Sequence, residues 1–136
     1  WEYACRAGTQ TAYSWGNSLN GDKANCDGNY PYGTTIKGTY KQETVNVCSY
    51  SPNAWGFYDM HGNVWEWCQD WHEPYTAEPQ VNPQGASDGE KRVLRGCAYD
   101  SIKSSCYVLC RVGRFPNHIS NFAGLRIVLD ISNKNE

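Results

Sequence analysis

The chain has 136 residues, a formal net charge of −2 and 19% charged residues, so it has the size of one domain and no basic excess for nucleic acid or anionic membranes. Aromatic residues make up 14% of the chain, which is too much ring surface for a disordered segment. No run approaches the roughly 20 apolar residues that span a bilayer, so we expect no direct membrane span.

The predicted elements of the first half are short and are separated by long loops. Trp1–Ala7 contains good helix formers and precedes Gly8, which predicts the last turns of a helix. Residues 8–53 are rich in Gly, Asn, Thr and Tyr and indicate loops with brief strands such as Glu43–Val47. The aromatic block 55–71 alternates in its second half, which predicts a strand.

The second half follows the same pattern. Residues 73–91 contain Pro, Gly, Ser and charged residues and predict a surface excursion. Arg92–Leu94 and Leu125–Leu129 are rich in β-formers and predict two strands that frame the segment between them. The polar tail 130–136 predicts a frayed end.

The chain contains seven cysteines, at positions 5, 26, 48, 68, 97, 106 and 110, and this odd number leaves at least one without a partner inside the chain. Their spacing matches neither a knottin framework nor a zinc motif. One or two disulfides are compatible with the spacing, and the pairing stays open. His61, His72 and His118 share no ligand-like spacing, so we interpret the first two as structural groups and the third as a surface contact.

Four sequence blocks occur in a characteristic order: WEYACRAGT at 1–9, GFYDMHGNVWEWCQDW at 56–71, RVLRG at 92–96 and AGLRIVL at 123–129. In this order they resemble the formylglycine-generating-enzyme family, also called sulfatase-modifying factor domains. The resemblance implies an α+β, C-type-lectin-like fold with short strands and long loops. Because family members carry a further N-terminal region, it also implies that 1–136 is the C-terminal part of a larger domain and that this missing region is a partner.

The oxidising enzymes of this family use two cysteines separated by four residues, which bind copper as thiolates and pass electrons from a substrate cysteine to oxygen. The family pattern places Ser101 at the first of these positions and Cys106 at the second. Soft Cu(I) favours two sulfur ligands, so one thiolate makes a poor copper site. A structural or disulfide role for the cysteines is therefore favoured, and an oxidase that uses Cys106 and copper on a protein cysteine is the alternative.

The chain resembles a second branch on this fold more closely, the variable proteins of diversity-generating retroelements, in which mutagenesis rewrites a C-terminal segment that here falls at 96–126. In that group mutagenesis at template adenines, commonly in Asn codons, does not produce Lys, Glu, Gln, Met or Trp. These five types account for 25 of the 136 residues, so an even distribution places about five or six of them in this window, which contains one, Lys103. The depletion predicts a variable ligand-binding segment at 96–126.

The side chains of this segment follow neither a helical nor a strand period, and they mix rigid aromatic with adaptable polar groups, as recognition loops do. The alternative is an ordinary loop that Leu109, Phe115 and Phe122 pin into the core. We predict a non-catalytic, receptor-type protein that binds an unknown macromolecule at the cell surface or outside the cell. The candidate ligand-binding residues are Tyr99, Asp100, Ser101, Ile102, Ser104, Tyr107, Leu109, Phe115, Asn117, His118, Ser120, Asn121 and Phe122.

The resemblance also implies a structural calcium site, whose family ligands fall on Gly62, Asn63, Val64 and Glu66. Calcium takes six to eight oxygen ligands, and carboxylate, amide and backbone carbonyl oxygens all qualify. The alternative is that the side chains of Asn63 and Glu66 hydrogen-bond neighbouring loops. A second family site near Asn25 is expected to be lost, because Lys37 stands at its acidic position. A third interpretation is a calcium-dependent module with a fixed partner and an invariant 96–126 segment.

Overall fold

The structure is a computed structural model that describes residues 1–81 and 83–129. The described elements are one short helix, one 3₁₀ turn and four short strands, and loops make up the rest of this part of the chain. These elements confirm the predicted α+β class with short strands and long loops. In chain order the elements are α1 (Glu2–Arg6), β1 (Trp65–Trp71), β2 (Arg92–Arg95), a 3₁₀ turn (Lys103–Ser105), β3 (Val112–Arg114) and β4 (Ala123–Leu125).

Helix α1 occupies the predicted position at the start of the chain. Arg6 Nε donates a hydrogen bond to Glu2 Oε1 at 3.0 Å across one helical turn, a spacing that supports short helices. The helix ends at Ala7, whose φ of 45° is left-handed and whose N–H donates to the carbonyl of Tyr3. Among residues 1–81 and 83–129, no helix is long and apolar enough to cross a membrane.

The four strands form one mixed sheet in the spatial order β3-β2-β1-β4. The β1–β2 and β2–β3 pairs are antiparallel, whereas β1 and β4 run parallel. The predicted strand in the aromatic block is confirmed as β1, and the strand predicted at Arg92–Leu94 is confirmed as β2. The sequence did not predict β3, which has three residues and contains Gly113.

The strand predicted at Leu125–Leu129 is wrong in its position, because β4 ends where the apolar run begins. The N–H of Trp65 donates to the carbonyl of Phe122 at 2.7 Å, and this bond fixes the pairing with β1 upstream of the run. Ile127, Val128 and Leu129 then extend beyond the ladder and are at least 76% exposed.

The brief strand predicted at Glu43–Val47 is also wrong. The backbone of Val45 pairs with a side chain instead of another strand: its N–H donates to Asn63 Oδ1 at 2.9 Å, and its carbonyl accepts from Asn63 Nδ2 at 3.2 Å. The predicted surface excursion is confirmed for the described residues of 73–91, almost all of which are exposed. The predicted frayed tail 130–136 lies outside the described residues.

The core consists of two small clusters of buried side chains. The larger cluster packs against the half-buried rings of Trp15, Trp65 and Tyr107. Val108 in the second cluster is 1% exposed, so part of the predicted variable segment belongs to the interior. The first cluster contains Tyr13, Leu19, Ala24, Cys26, Cys97 and Cys106, and the second contains Cys5, Met60 and Val108.

Candidate functional site

A pocket of about 620 Å³ opens on one face of the sheet. Each strand contributes to its floor, because alternate residues of paired strands point to the same face. The floor residues are Val112 from β3, Leu94 from β2, Trp65 from β1 and Ala123 from β4. Two loops, 100–105 and 118–122, form the walls above this largely apolar surface.

The rim of the pocket carries charged and polar side chains that face solvent. Asp100, Arg114 and His118 all line the opening and are exposed. Arg114 Nη1 donates to the neighbouring carbonyl of Gly113 at 3.0 Å, and neither Arg114 nor Asp100 forms an ion pair with another described residue. An exposed guanidinium and an exposed carboxylate are therefore available to a ligand above an apolar floor.

A disulfide fixes one wall of the pocket. Cys97 and Cys106 are bonded and buried, with their Cα atoms 5.0 Å apart, and they close the loop that carries the wall residues. Inside this loop Ser101 Oγ accepts from the N–H of Ala98 at 3.0 Å, and the Ser101 carbonyl accepts from the N–H of Asp27 at 3.1 Å. The wall is thus held at both ends and near its middle.

The candidate ligand-binding residues divide among three places. Four candidates line neither the pocket nor the separate groove named below: Tyr99, Phe115, Asn117 and Asn121. Six candidates line the pocket, namely Asp100, Ser101, Ile102, His118, Ser120 and Phe122. Three others, Ser104, Tyr107 and Leu109, line a separate groove of about 420 Å³ with Arg6, Gln10 and Thr11.

The predicted aromatic anchors differ in their burial. Tyr107 is half-buried, and its ring lies 5.6 Å from the ring of Tyr13, so it belongs largely to the core. The ring of Tyr99 lies 5.2 Å from that of Phe122 and contacts it without lining the pocket itself. Phe115 is 52% exposed, which does not fit the alternative of a side chain that pins the loop into the core.

Sequence reasoning missed six pocket residues. Arg114 lies within the depleted window, but no sequence pattern places its guanidinium at the rim of the pocket. Trp65 and Leu94 lie in or next to predicted strands, and their contribution to the floor depends on strand register, which the sequence does not show. The remaining three are Ser105, Val112 and Ala123.

The predicted calcium ligands lie together at and just before the start of β1, and three of them, Gly62, Asn63 and Glu66, already accept hydrogen bonds within the protein. Asn63 Oδ1 accepts from the Val45 N–H at 2.9 Å and from Asn25 Nδ2 at 3.1 Å. The carbonyl of Gly62 accepts from the N–H of Val64 at 3.0 Å. Both carboxylate oxygens of Glu66 accept hydrogen bonds from other side chains. These residues therefore do not fit a calcium ion, and within 1–81 and 83–129 no three His, Cys, Asp or Glu side chains are grouped as a metal site.

The residues also do not fit the copper of the enzyme alternative. Cys106 has no thiol while it is bonded to Cys97, and Ser101 presents a hydroxyl at the other family position. Two of the free cysteines, Cys5 and Cys26, are buried, and burial raises their pKa values to about 12 and about 11. These thiols are protonated at neutral pH and are poor nucleophiles.

His61 is a structural group, as interpreted from the sequence. The N–H of Ser14 donates to its Nε2 at 3.2 Å, so Nδ1 carries the proton and donates to the carbonyl of Cys106 at 3.0 Å. Cys5 Sγ lies 3.3 Å from the same Nε2. Burial lowers the pKa of His61 to about 4, which keeps the ring neutral at pH 7.

The protein is a loop-rich α+β scaffold with a pocket on one face of its sheet. The chain belongs to the family described as the sulfatase-modifying factor enzyme 1-like domain, whose family model matches residues 1–131. This is the family that the four ordered sequence blocks predicted.

Several known proteins are similar to this chain. The chain is 38% identical to a formylglycine-generating enzyme of Streptomyces coelicolor over 140 residues, which is 96% of this chain and 44% of that protein. It superposes on Treponema denticola variable protein 1 with a TM-score of 0.75 and 27% identity, over 92% of this chain and 43% of that one. PvdO from Pseudomonas aeruginosa gives a TM-score of 0.70 and 28% identity, over 91% and 47%. The chain thus spans less than half the length of these relatives.

Proposed function

We propose that the protein is a non-catalytic, receptor-type binder that recognises a macromolecule in the sheet-floored pocket, with 96–126 as the variable segment of a diversity-generating retroelement. One observation carries this proposal. Ten of the twelve residues that line the pocket belong to 96–126, the same segment that is depleted in Lys, Glu, Gln, Met and Trp. The other two, Trp65 and Leu94, come from scaffold strands. The likeness to Treponema denticola variable protein 1 supports the same function.

The pocket suits reversible recognition without chemistry. Its apolar floor provides contact area, and the exposed charges of Asp100 and Arg114 provide orientation and specificity. The Cys97–Cys106 disulfide fixes one wall before the target arrives, which lowers the conformational entropy lost on binding. A binder of this kind meets its target at the cell surface or outside the cell, and we place the protein there.

The experiment that tests this proposal is to sequence the source locus. We expect a near-identical copy of the DNA that encodes 96–126 and a reverse-transcriptase gene close by. Differences between the two copies should fall at template adenines and change codons of the pocket walls, such as those of Ile102, His118 and Phe122. The DNA that encodes 56–71 is the internal control and should show no such differences.

A locus with neither a copy nor a reverse transcriptase would overturn the retroelement assignment. Differences spread equally over 56–71 and 96–126 would do so as well, because the scaffold would then vary as much as the pocket. The locus result does not depend on knowing the target, so it can be obtained before any ligand is identified.

A second candidate function is oxidation of a protein cysteine, which the 38% identity to a formylglycine-generating enzyme favours. The disulfide at Cys106 and the hydroxyl of Ser101 count against it. Cu(I) titration and oxygen consumption with a cysteine-containing peptide, before and after mild reduction, separate the two functions. We expect no stoichiometric copper binding by the disulfide form and no peptide-dependent oxygen uptake in either state, whereas peptide-dependent uptake that disappears in Cys106→Ala would establish the enzyme.

A further inference from the structure

Glu66 is the second residue of β1 and is 6% exposed. Arg126 approaches its carboxylate with two nitrogens: Nη2 donates to Oε1 at 2.7 Å, and Nε donates to Oε2 at 3.1 Å. The indole N–H of Trp1 donates to Oε2 at 2.7 Å. Both oxygens of this buried acid are therefore satisfied by donors from the two ends of the chain.

The guanidinium of Arg126 also donates a hydrogen bond to a third oxygen. Its Nη2 donates to the carbonyl of Tyr58 at 2.9 Å, so the two oxygens of Glu66 and the oxygen of Tyr58 all bond to one cationic group. Hydrogen bonding to Glu66 is the main reason that the pKa of Arg126 is raised. A guanidinium remains charged at every physiological pH and matches a carboxylate with two parallel bonds.

We propose that Arg126 is the resident cation at Glu66 and occupies the carboxylate that the family resemblance assigns to calcium. The Asn63 amide, which a metal ion would also need, is held by the backbone of Val45. A calcium ion at Glu66 would have to displace the guanidinium of Arg126, which belongs to the same chain and already bonds both carboxylate oxygens. The site is therefore stable without calcium.

Arg126 also holds the pocket from behind. It follows β4 directly, and in the parallel ladder Glu66 stands opposite Gly124, next to the floor residue Ala123. The ion pair joins the end of β4 to β1, on which Trp65 forms another part of the floor. The guanidinium of Arg126 thus tethers β4 to β1 on the side of the sheet opposite the pocket.

The experiment compares thermal and urea unfolding of the full chain in excess EGTA and in millimolar CaCl₂, for the wild type and for Glu66→Gln, Arg126→Gln and the double variant. The wild type should unfold at the same midpoint in both buffers. Each single variant should lose about tenfold or more in its folding equilibrium constant, because a buried charge loses its partner. The double variant should be no less stable than the worse single variant. Arg114→Gln is the matched control, since Arg114 is exposed and forms no ion pair with a described residue, and it should leave the midpoint unchanged.

Two results would overturn the proposal. The first is a calcium-induced rise of the wild-type midpoint that is absent in Glu66→Gln, because it would place the metal on this carboxylate. The second is an Arg126→Gln variant as stable as the wild type. The wild-type comparison needs no substitution, so the proposal can be refuted even where a variant fails to fold.

Discussion

Protonation of His61 should make the protein less stable as the pH falls below neutrality. The ring is 3% exposed, and burial lowers its pKa from 6.5 to about 4. The unfolded chain therefore binds a proton below pH 6.5 that the folded protein does not bind until about pH 4. The stabilisation that His61 contributes by staying neutral is complete above pH 6.5 and is lost as the pH falls from 6.5 to about 4. Linkage gives a loss of about 2 kcal/mol in the free energy of unfolding between about pH 7.5 and about pH 5.

The assay is urea unfolding at these two pH values for the wild type, His61→Gln and His118→Gln. His61→Gln lowers stability at both pH values, because it disturbs the bonds to Ser14 and Cys106, so the informative quantity is the difference between the two pH values. That difference should shrink by about 2 kcal/mol in His61→Gln and stay as in the wild type in His118→Gln, whose ring is exposed. An equal pH difference in all three proteins would refute a buried neutral histidine, as would NMR detection of a cationic His61 ring in the folded protein near pH 5.

Two further predictions concern the loops around the pocket. Replacing Cys97 and Cys106 together by Ala should lower the free energy of unfolding by about 2–3 kcal/mol, since the sequence separation of nine gives a loop of about ten residues; an unchanged urea midpoint would show that the loop is ordered without the bond. Gly62→Ala should prevent or strongly impair folding, because its φ is 80° and a Cβ would lie 2.3 Å from the carbonyl oxygen of Asn25. Gly56→Ala is the matched control with a φ of 81° and open space around it, and it should cost only about 1–2 kcal/mol in chemical denaturation; equal losses in the two variants would contradict the close approach at Gly62.

The strands show where sequence patterns were sufficient and where they were not. Alternating large residues identified β1, and the short β-rich run at 92–94 identified β2. The apolar run Leu125–Leu129 has the same local character, yet the ladder stops at Leu125. The pairing is set by contact of Trp65 with Phe122 and Ala123, which depends on how two distant segments meet. Local preference for extended structure does not contain that register.

The candidate site likewise has some features that follow from the sequence and others that only the tertiary structure decides. The depleted composition of 96–126 and the order of the four motifs follow from the residues alone, and they led to the family and to most of the pocket walls. Tertiary structure decided that Tyr107 turns into the core and that Cys97 and Cys106 pair among seven cysteines. It also brought Arg126 to a carboxylate 60 positions earlier in the chain. Composition and motif order are local properties that one chain carries by itself, whereas burial, disulfide pairing and counter-ions depend on which distant segments the fold brings together.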